Sequence, residues 1–91
     1  MKYYECHVTV VDGNVYNMTS VGSPDWKYSE ISDDIVLGPG MKSYLTRHYP
    51  EGALKTARKD LKELVSALRL VGEKVKRAKI ELVLIDEVYD V

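Results

Sequence analysis

The sequence lacks phenylalanine and has a single cysteine, Cys6, among its 91 residues. One cysteine excludes a disulfide within the chain and a zinc site built from several cysteines, so we expect Cys6 to be a small buried hydrophobe. No apolar run approaches the roughly 18 residues of a membrane span, and the N-terminus lacks a basic-then-apolar signal pattern. We therefore expect a cytoplasmic protein with no membrane partner.

An excess of charge of either sign is also missing, since 13 Lys and Arg residues face 14 Asp and Glu residues. The net charge of -1 gives no overall field that would attract nucleic acid or an acidic membrane. The length suits one domain, residues 1–91, with a modest core.

The clearest pattern is strict alternation from Tyr3 to Val11, which predicts a β-strand with two different faces. The apolar face consists of Tyr4, Cys6, Val8 and Val10. The opposite face carries Tyr3, Glu5, His7 and Thr9, which together supply a phenol, a carboxylate, an imidazole and a hydroxyl. The polar face is the first candidate for a functional site.

Periodicity and chain breakers predict five further elements. In order, they are a short helix over 14–21, a strand over 26–31, a strand over 41–49, a long helix over about 51–71 and a strand from about 75 to 83. We expect Pro50 to open the long helix and Gly72 to end it, with Leu70 exposed on its far side.

Two finer predictions concern the segments around the later strands. Residues 32–40 are interpreted as a loop in which 35–37 form an apolar plug and 38–40 allow close approach of a phosphate. In the last strand, we expect Ala78, Ile80, Leu82 and Leu84 to face the core.

The order strand, helix, strand, strand, helix, strand indicates an α+β, ferredoxin-like βαββαβ sandwich. Right-handed crossovers would place the first and third strands in the centre of a four-stranded antiparallel sheet, with both helices on one face. The open face would then collect polar residues from three strands, which we predict to bind a ligand: Tyr3, Glu5, His7, Thr9, Tyr44, Thr46, His48, Lys79 and Glu81.

His7-Val8-Thr9 has a His-x-Thr form that resembles half of the signature of the two-histidine phosphoesterases. The resemblance implies a phosphodiesterase-like enzyme in which His7 is the general acid or base and Thr9 orients the phosphate. A second such motif is missing, because Tyr49 and Pro50 follow His48. We assign no catalytic residue and favour binding over catalysis.

Two other types of site are compatible with the same face. Glu5, His7, His48 and Glu81 form a mixed set of histidines and carboxylates that suits zinc or manganese, although no compact ligand spacing is present. Tyr3 and Tyr44 are candidate stacking platforms for RNA, but the third strand lacks the Gly-rich, aromatic motif of RNA-recognition modules. We therefore expect no metal, no cofactor and no nucleic-acid partner.

The chain also resembles small, uncharacterised bacterial and phage proteins that begin with a Tyr-x-x-His-Val/Ile-Thr strand and end with a Lys-Ile-Glu strand. The matching positions are Tyr4, His7, Val8 and Thr9, then Lys79, Ile80 and Glu81. The resemblance implies no activity, but it selects residues of the same polar face.

We expect a phosphorylated small molecule or nucleotide as the ligand, held by the imidazoles and hydroxyls of the open face. A homo-oligomer that buries Tyr3, Val83 and Ile85 is expected as well. The alternatives are the phosphodiesterase-like enzyme and a protein-interaction module, for instance a phage protein that inhibits a host complex.

Overall fold

The computed structural model describes residues 2–34 and 38–84, which form one four-stranded antiparallel sheet and two helices. The elements are β1 (Lys2–Val11), α1 (Val15–Gly22), β2 (Lys27–Asp34), β3 (Gly38–Pro50), α2 (Leu54–Leu70) and β4 (Val75–Leu84). The strand order across the sheet is β2-β3-β1-β4. The predicted ferredoxin-like arrangement, with β1 and β3 in the centre, is confirmed.

The core lies between the sheet and the two helices, on the apolar side of β1. Its buried members are Cys6, Val8, Val10, Met18, Leu45, Tyr49, Ala57, Leu61, Leu64 and Leu68. Cys6 is fully buried, as predicted, and its thiol contacts the carbonyl oxygen of Ala57 at 3.8 Å. Burial raises the pKa of the Cys6 thiol, so the group stays protonated and unreactive.

α1 confirms the short helix that apolar spacing predicts. Asn14 precedes it with extended backbone angles, and its side-chain oxygen accepts a hydrogen bond from the Asn17 backbone N–H at 3.0 Å. Met18 is fully buried and fixes the helix on the core, whereas Val15 is half exposed. Val15, Met18 and Val21 recur at a spacing of three residues, and Met18 is the one of them that contributes most to packing.

α2 begins later than predicted. Pro50 is the last residue of β3 rather than the first of a helix, because Gly52 turns the chain with a φ of +93° before the helix starts at Leu54. The predicted end is confirmed, since Gly72 follows the helix with a φ of +88°, and Leu70 is 89% exposed. Neither helix in the described part of the chain is long and apolar enough to cross a bilayer.

The predicted loop over 32–40 is wrong for its described residues. β2 extends to Asp34 and β3 starts at Gly38, and these two residues are partners in the β2–β3 ladder. The ladder therefore extends to Gly38, with a register shift between Ser32 and Asp34, and Gly40 has a φ of +104° within this irregular stretch. The segment is part of a strand instead of a loop that could wrap a phosphate. The proposed plug at 35–37 lies outside the described residues.

β4 is an edge strand whose helix-side residues are only partly covered. Ile80 packs against the core, but Leu82 is 50% and Leu84 58% exposed, and Ala78 is exposed too. The prediction that all four are core residues is wrong for these three, because the helices pack over the central strands and leave the outer edge open. Ile85 and the acidic tail, residues 86–91, lie outside the described residues.

Candidate functional site

The open face of the sheet brings together all nine polar residues predicted from alternation. Across β1 and β3, His7 is opposite Thr46 and Glu5 is opposite His48. Across β1 and β4, the register places further predicted partners on the same face, namely Lys79 opposite His7, Glu81 opposite Glu5 and Val83 opposite Tyr3. Register therefore determines which side chains become neighbours, and sequence spacing alone could not specify it.

His7 contacts two neighbours on β3, one through a hydrogen bond and one through a ring contact. Its Nδ1 and the hydroxyl oxygen of Thr46 share a hydrogen bond of 3.0 Å, and its ring centroid lies 4.9 Å from that of Tyr44. Burial and then the nearby charge of Lys79 lower the pKa of His7 below its ordinary value of 6.5. The imidazole is consequently neutral at pH 7, with one ring nitrogen engaged by Thr46.

His48 occupies the outer side of the same region. Its Nε2 lies 3.1 Å from Oε2 of Glu5, and its ring centroid is 4.8 Å from that of Tyr3. The His48 side chain is 57% exposed, whereas that of Glu5 is 27% exposed. His48 is therefore accessible to a ligand, and Glu5 orients it from the neighbouring strand.

Lys79 and Glu81 form an ion pair along β4, with 2.7 Å between Nζ and Oε1. The hydrogen bond from Lys79 lowers the pKa of Glu81, so its carboxyl is ionised at neutral pH.

One end of the polar face is closed to solvent. Thr9 is 1% exposed and Tyr44 is 3% exposed, although both belong to the face that alternation assigns to solvent. Lys42, 2% exposed, is equally buried and donates a hydrogen bond to the carbonyl oxygen of Gly40 at 3.1 Å. The Tyr44 ring, a candidate stacking platform, is therefore not accessible to a base, and the Thr9 side chain is not accessible to a ligand.

The accessible part of the face contains a hollow of about 310 Å³ beside β2 and β3. It is lined by Lys27, Thr46 and His48, together with Asp25 and Arg47. Lys27 is opposite Thr46 in the β2–β3 ladder and is exposed. Sequence analysis placed Lys27 on the correct strand but did not select it, because the face of β2 was ambiguous until its register was known.

The structure gives no support to a metal site. In residues 2–34 and 38–84, no three His, Cys, Asp or Glu side chains are placed to hold an ion together. The four ligands considered from the sequence are divided, since Glu5 bonds His48, Thr46 bonds His7 and Lys79 bonds Glu81. This separation follows from a flat sheet, on which neighbouring strands lie about 4.8 Å apart.

A second polar cluster, which sequence analysis missed, lies on the helix side of the sheet. The Tyr49 hydroxyl donates to Asp60 Oδ2 at 2.8 Å, and Arg47 Nη1 lies 3.4 Å from the same oxygen. The Arg47 guanidinium also lies 4.7 Å from the centre of the Tyr49 ring. Alternation along β3 did predict Arg47 on the apolar face, and a charge at such a position is the signal that could have revealed the cluster.

The comparisons with known proteins identify no relative: no family model matches the chain, and neither a curated protein nor a solved structure matches it. Function must therefore be argued from the site itself.

Proposed function

We propose that the protein binds a phosphorylated small molecule or nucleotide in the hollow beside Lys27, Thr46 and His48. The observation that carries the proposal is the convergence of an ammonium group, a hydroxyl and an exposed imidazole on one hollow of about 310 Å³. These groups are the donors that phosphate oxygens accept from most readily, and charge-assisted hydrogen bonds are the stronger ones.

The hollow is lined by two cationic side chains, Lys27 and Arg47, and by one carboxylate, Asp25, a balance that favours an anionic ligand. None of the ion pairs among the described residues involves Lys27, so its ammonium group is available to a ligand. His48 lines the hollow with an exposed imidazole, and its Nε2 lies 3.1 Å from Oε2 of Glu5, which orients the ring. Thr46 lines the hollow, and its hydroxyl shares a 3.0 Å hydrogen bond with Nδ1 of His7, which lies outside the lining and adds no charge at pH 7.

Binding is preferred to phosphodiesterase chemistry because Thr9 is inaccessible. The enzyme hypothesis needs the Thr9 hydroxyl on the phosphate beside His7, but Thr9 is 1% exposed. The proposal places the protein in a reducing cytoplasm, in agreement with a buried, unpaired Cys6, and among the small bacterial and phage proteins that its terminal motifs resemble.

Titration with inorganic phosphate, pyrophosphate and adenosine mono- and diphosphate, followed by amide NMR shifts, tests the proposal. We expect shifts centred on Lys27, Thr46 and His48. Lys27→Met and His48→Gln should each weaken binding by about tenfold, which corresponds to roughly 1.4 kcal/mol for a lost charge-assisted hydrogen bond.

Lys55→Met is the matched control, because it removes an exposed lysine from α2, away from the hollow. Binding that Lys27→Met and His48→Gln leave unchanged would place the ligand elsewhere. If none of the phosphates shifts any resonance, the phosphate proposal fails and a partner protein becomes the better explanation of the polar face. Hydrolysis of a phosphodiester that is lost in His7→Ala would instead establish the enzyme.

A further inference from the structure

Within residues 2–34 and 38–84, β4 has one edge that pairs with no strand, and the same strand carries exposed apolar side chains on its helix side. In the described sheet, β4 pairs with β1 along one edge and with no other strand. On the helix side, Leu82 is 50% exposed and Leu84 is 58% exposed. A long exposed edge strand with apolar side chains is a template for pairing with another strand.

A groove runs beside this edge, between α2 and β4. It has a volume of about 440 Å³, and its lining includes Leu61 and Val65 of α2 and Ala78 of β4. The small side chain of Ala78 leaves space in the groove. Leu82, on the same face of the strand, is half exposed to solvent. The strand thus carries both an apolar recess and an apolar side chain of a size to fill it.

We propose that β4 pairs antiparallel with β4 of a second copy of this chain, with Ile80 opposite Ile80, to give a two-fold symmetric dimer with an eight-stranded sheet. Leu82 of each copy then lies opposite Ala78 of the other and enters the groove against α2. On the open face, Lys79 of each copy lies opposite Glu81 of the other. The contact is isologous, as a two-fold axis requires.

Charge selects this register over its neighbours. The nearest other registers that keep the helix sides of the two β4 strands on one face move the two-fold axis by one residue. The axis then passes through either Lys79 or Glu81. Centring on Lys79 sets two ammonium groups directly opposite each other, and centring on Glu81 sets two carboxylates opposite each other, which is destabilising in both cases. Centring on Lys79 would also set Arg77 opposite Glu81 twice. Only the centre at Ile80 therefore combines two cross-strand pairs of opposite charge with no directly opposed like charges on the open face. The same register is the one that fills the groove with Leu82.

This dimer is independent of the phosphate hollow, because the hollow lies beside β2 and β3, toward the edge of the sheet opposite to β4. It also differs from an oligomer that buries Tyr3, since the two sheets meet edge to edge instead of face to face. Either proposal can therefore fail while the other stands.

Sedimentation analysis of charge-reversal variants tests the proposal. Wild-type protein should show a concentration-dependent dimer. Lys79→Glu and Glu81→Lys should each weaken self-association at least tenfold, because each places like charges in both cross-strand positions. An equimolar mixture of the two variants should form a one-to-one dimer, since every cross-strand pair between them is again of opposite charge. Within each chain, the Lys79–Glu81 pair stays broken, so the mixture isolates the contact between chains.

The matched control is a mixture of Lys55→Glu and Glu63→Lys, which carry the same net charges but change exposed positions of α2. It should associate like wild type. Leu82→Asn should weaken the dimer, whereas Leu70→Asn, at an 89% exposed site of α2, should not.

Circular dichroism shows whether each variant is folded. Where a charge variant does not fold, Leu82→Asn tests the contact in its place. A wild-type chain that is monomeric at every concentration would overturn the proposal and would mean that the lysines of β4 protect a solitary edge. A folded mixture of Lys79→Glu and Glu81→Lys that stays monomeric would overturn it too, as would a dimer that neither the charge variants nor Leu82→Asn weaken.

Discussion

His7 Nδ1 lies 3.0 Å from the hydroxyl oxygen of Thr46, and the two residues are direct partners across the central strands β1 and β3. The hydrogen bond engages one of the two imidazole nitrogens and fixes the position of the ring beside β3. Nε2 is then the atom through which His7 can meet a ligand or water. His7 therefore differs from His48, whose Nε2 is held by Glu5.

Replacing Lys79 by Met should raise the pKa of His7. Lys79 is opposite His7 in the β1–β4 ladder, and its charge is the largest contribution after burial to the lowered pKa of the imidazole. The change also releases Glu81, whose carboxylate acts in the opposite direction. NMR titration of the two imidazoles should show His7 moving toward its ordinary value. Lys55→Met should leave the His7 titration unchanged, and an unaltered His7 in Lys79→Met would contradict the assigned cause.

The stability of the fold should depend on His7 as the pH falls. The pKa of His7 is lower in the folded chain than its ordinary value of 6.5, so the unfolded chain binds the proton more readily. The stabilisation is fully present above about pH 6.5 and is lost as the pH falls through the folded-state pKa. Urea unfolding should show a steeper loss of free energy between about pH 7 and pH 5 in wild type than in His7→Gln. Parallel curves would show that His7 is not linked to folding.

Alternation in the sequence was sufficient to predict the faces of β1, β3 and β4, although not that of β2, because period-two patterning is a local property of each strand. β1 illustrates this, since Cys6 and Val8 are fully buried and Glu5 and His7 lie on the other face, as predicted. The strand order followed from general handedness. Most of the candidate site depended on these two arguments.

What the sequence did not predict depends on contacts between distant elements. Lys27 reaches the hollow only through the register of β2 against β3, and Arg47 is tolerated on the apolar face because Asp60 of α2 neutralises it. Tyr44 faces away from the helices and is nevertheless buried, which alternation cannot foresee. At Pro50, β-pairing opposite Tyr3 prevailed over the preference of proline for a helix start.

Tyr49→Phe should destabilise the protein by about 1.5 kcal/mol, the range expected for a hydrogen bond to a charged group. The Tyr49 hydroxyl donates to Asp60 at 2.8 Å in a site where Tyr49 is 5% exposed. Burial, followed by this hydrogen bond, raises the pKa of Tyr49 well above its ordinary value, so the phenol remains a donor at any working pH. Urea unfolding monitored by circular dichroism measures the loss.

Tyr16→Phe provides the control for that measurement, because Tyr16 is 77% exposed. A surface substitution of this kind should change the free energy of unfolding by no more than about 0.5 kcal/mol. Equal effects of the two substitutions would mean that the bond to Asp60 contributes nothing to stability.

Glu73→Ala should selectively weaken the start of α1. Glu73 lies 59 residues after Asn14, the residue that caps this helix. Asn14 caps the helix through Asn17, but the usual glutamate three residues after the cap is missing, since Asn17 itself occupies that position. Glu73 takes over its role from the loop after α2: its carboxylate accepts from the Asn14 backbone N–H at 3.2 Å and from Asn17 Nδ2 at 3.1 Å. We expect the free energy of unfolding to fall by about 1 kcal/mol, and amide exchange to accelerate more in α1 than in α2.

Glu73→Gln, which keeps an acceptor oxygen, should lower the free energy of unfolding less. Glu63→Ala on α2 should leave amide exchange in α1 unchanged. Uniform acceleration of exchange across both helices in Glu73→Ala would show that the carboxylate supports the whole fold instead of capping one helix.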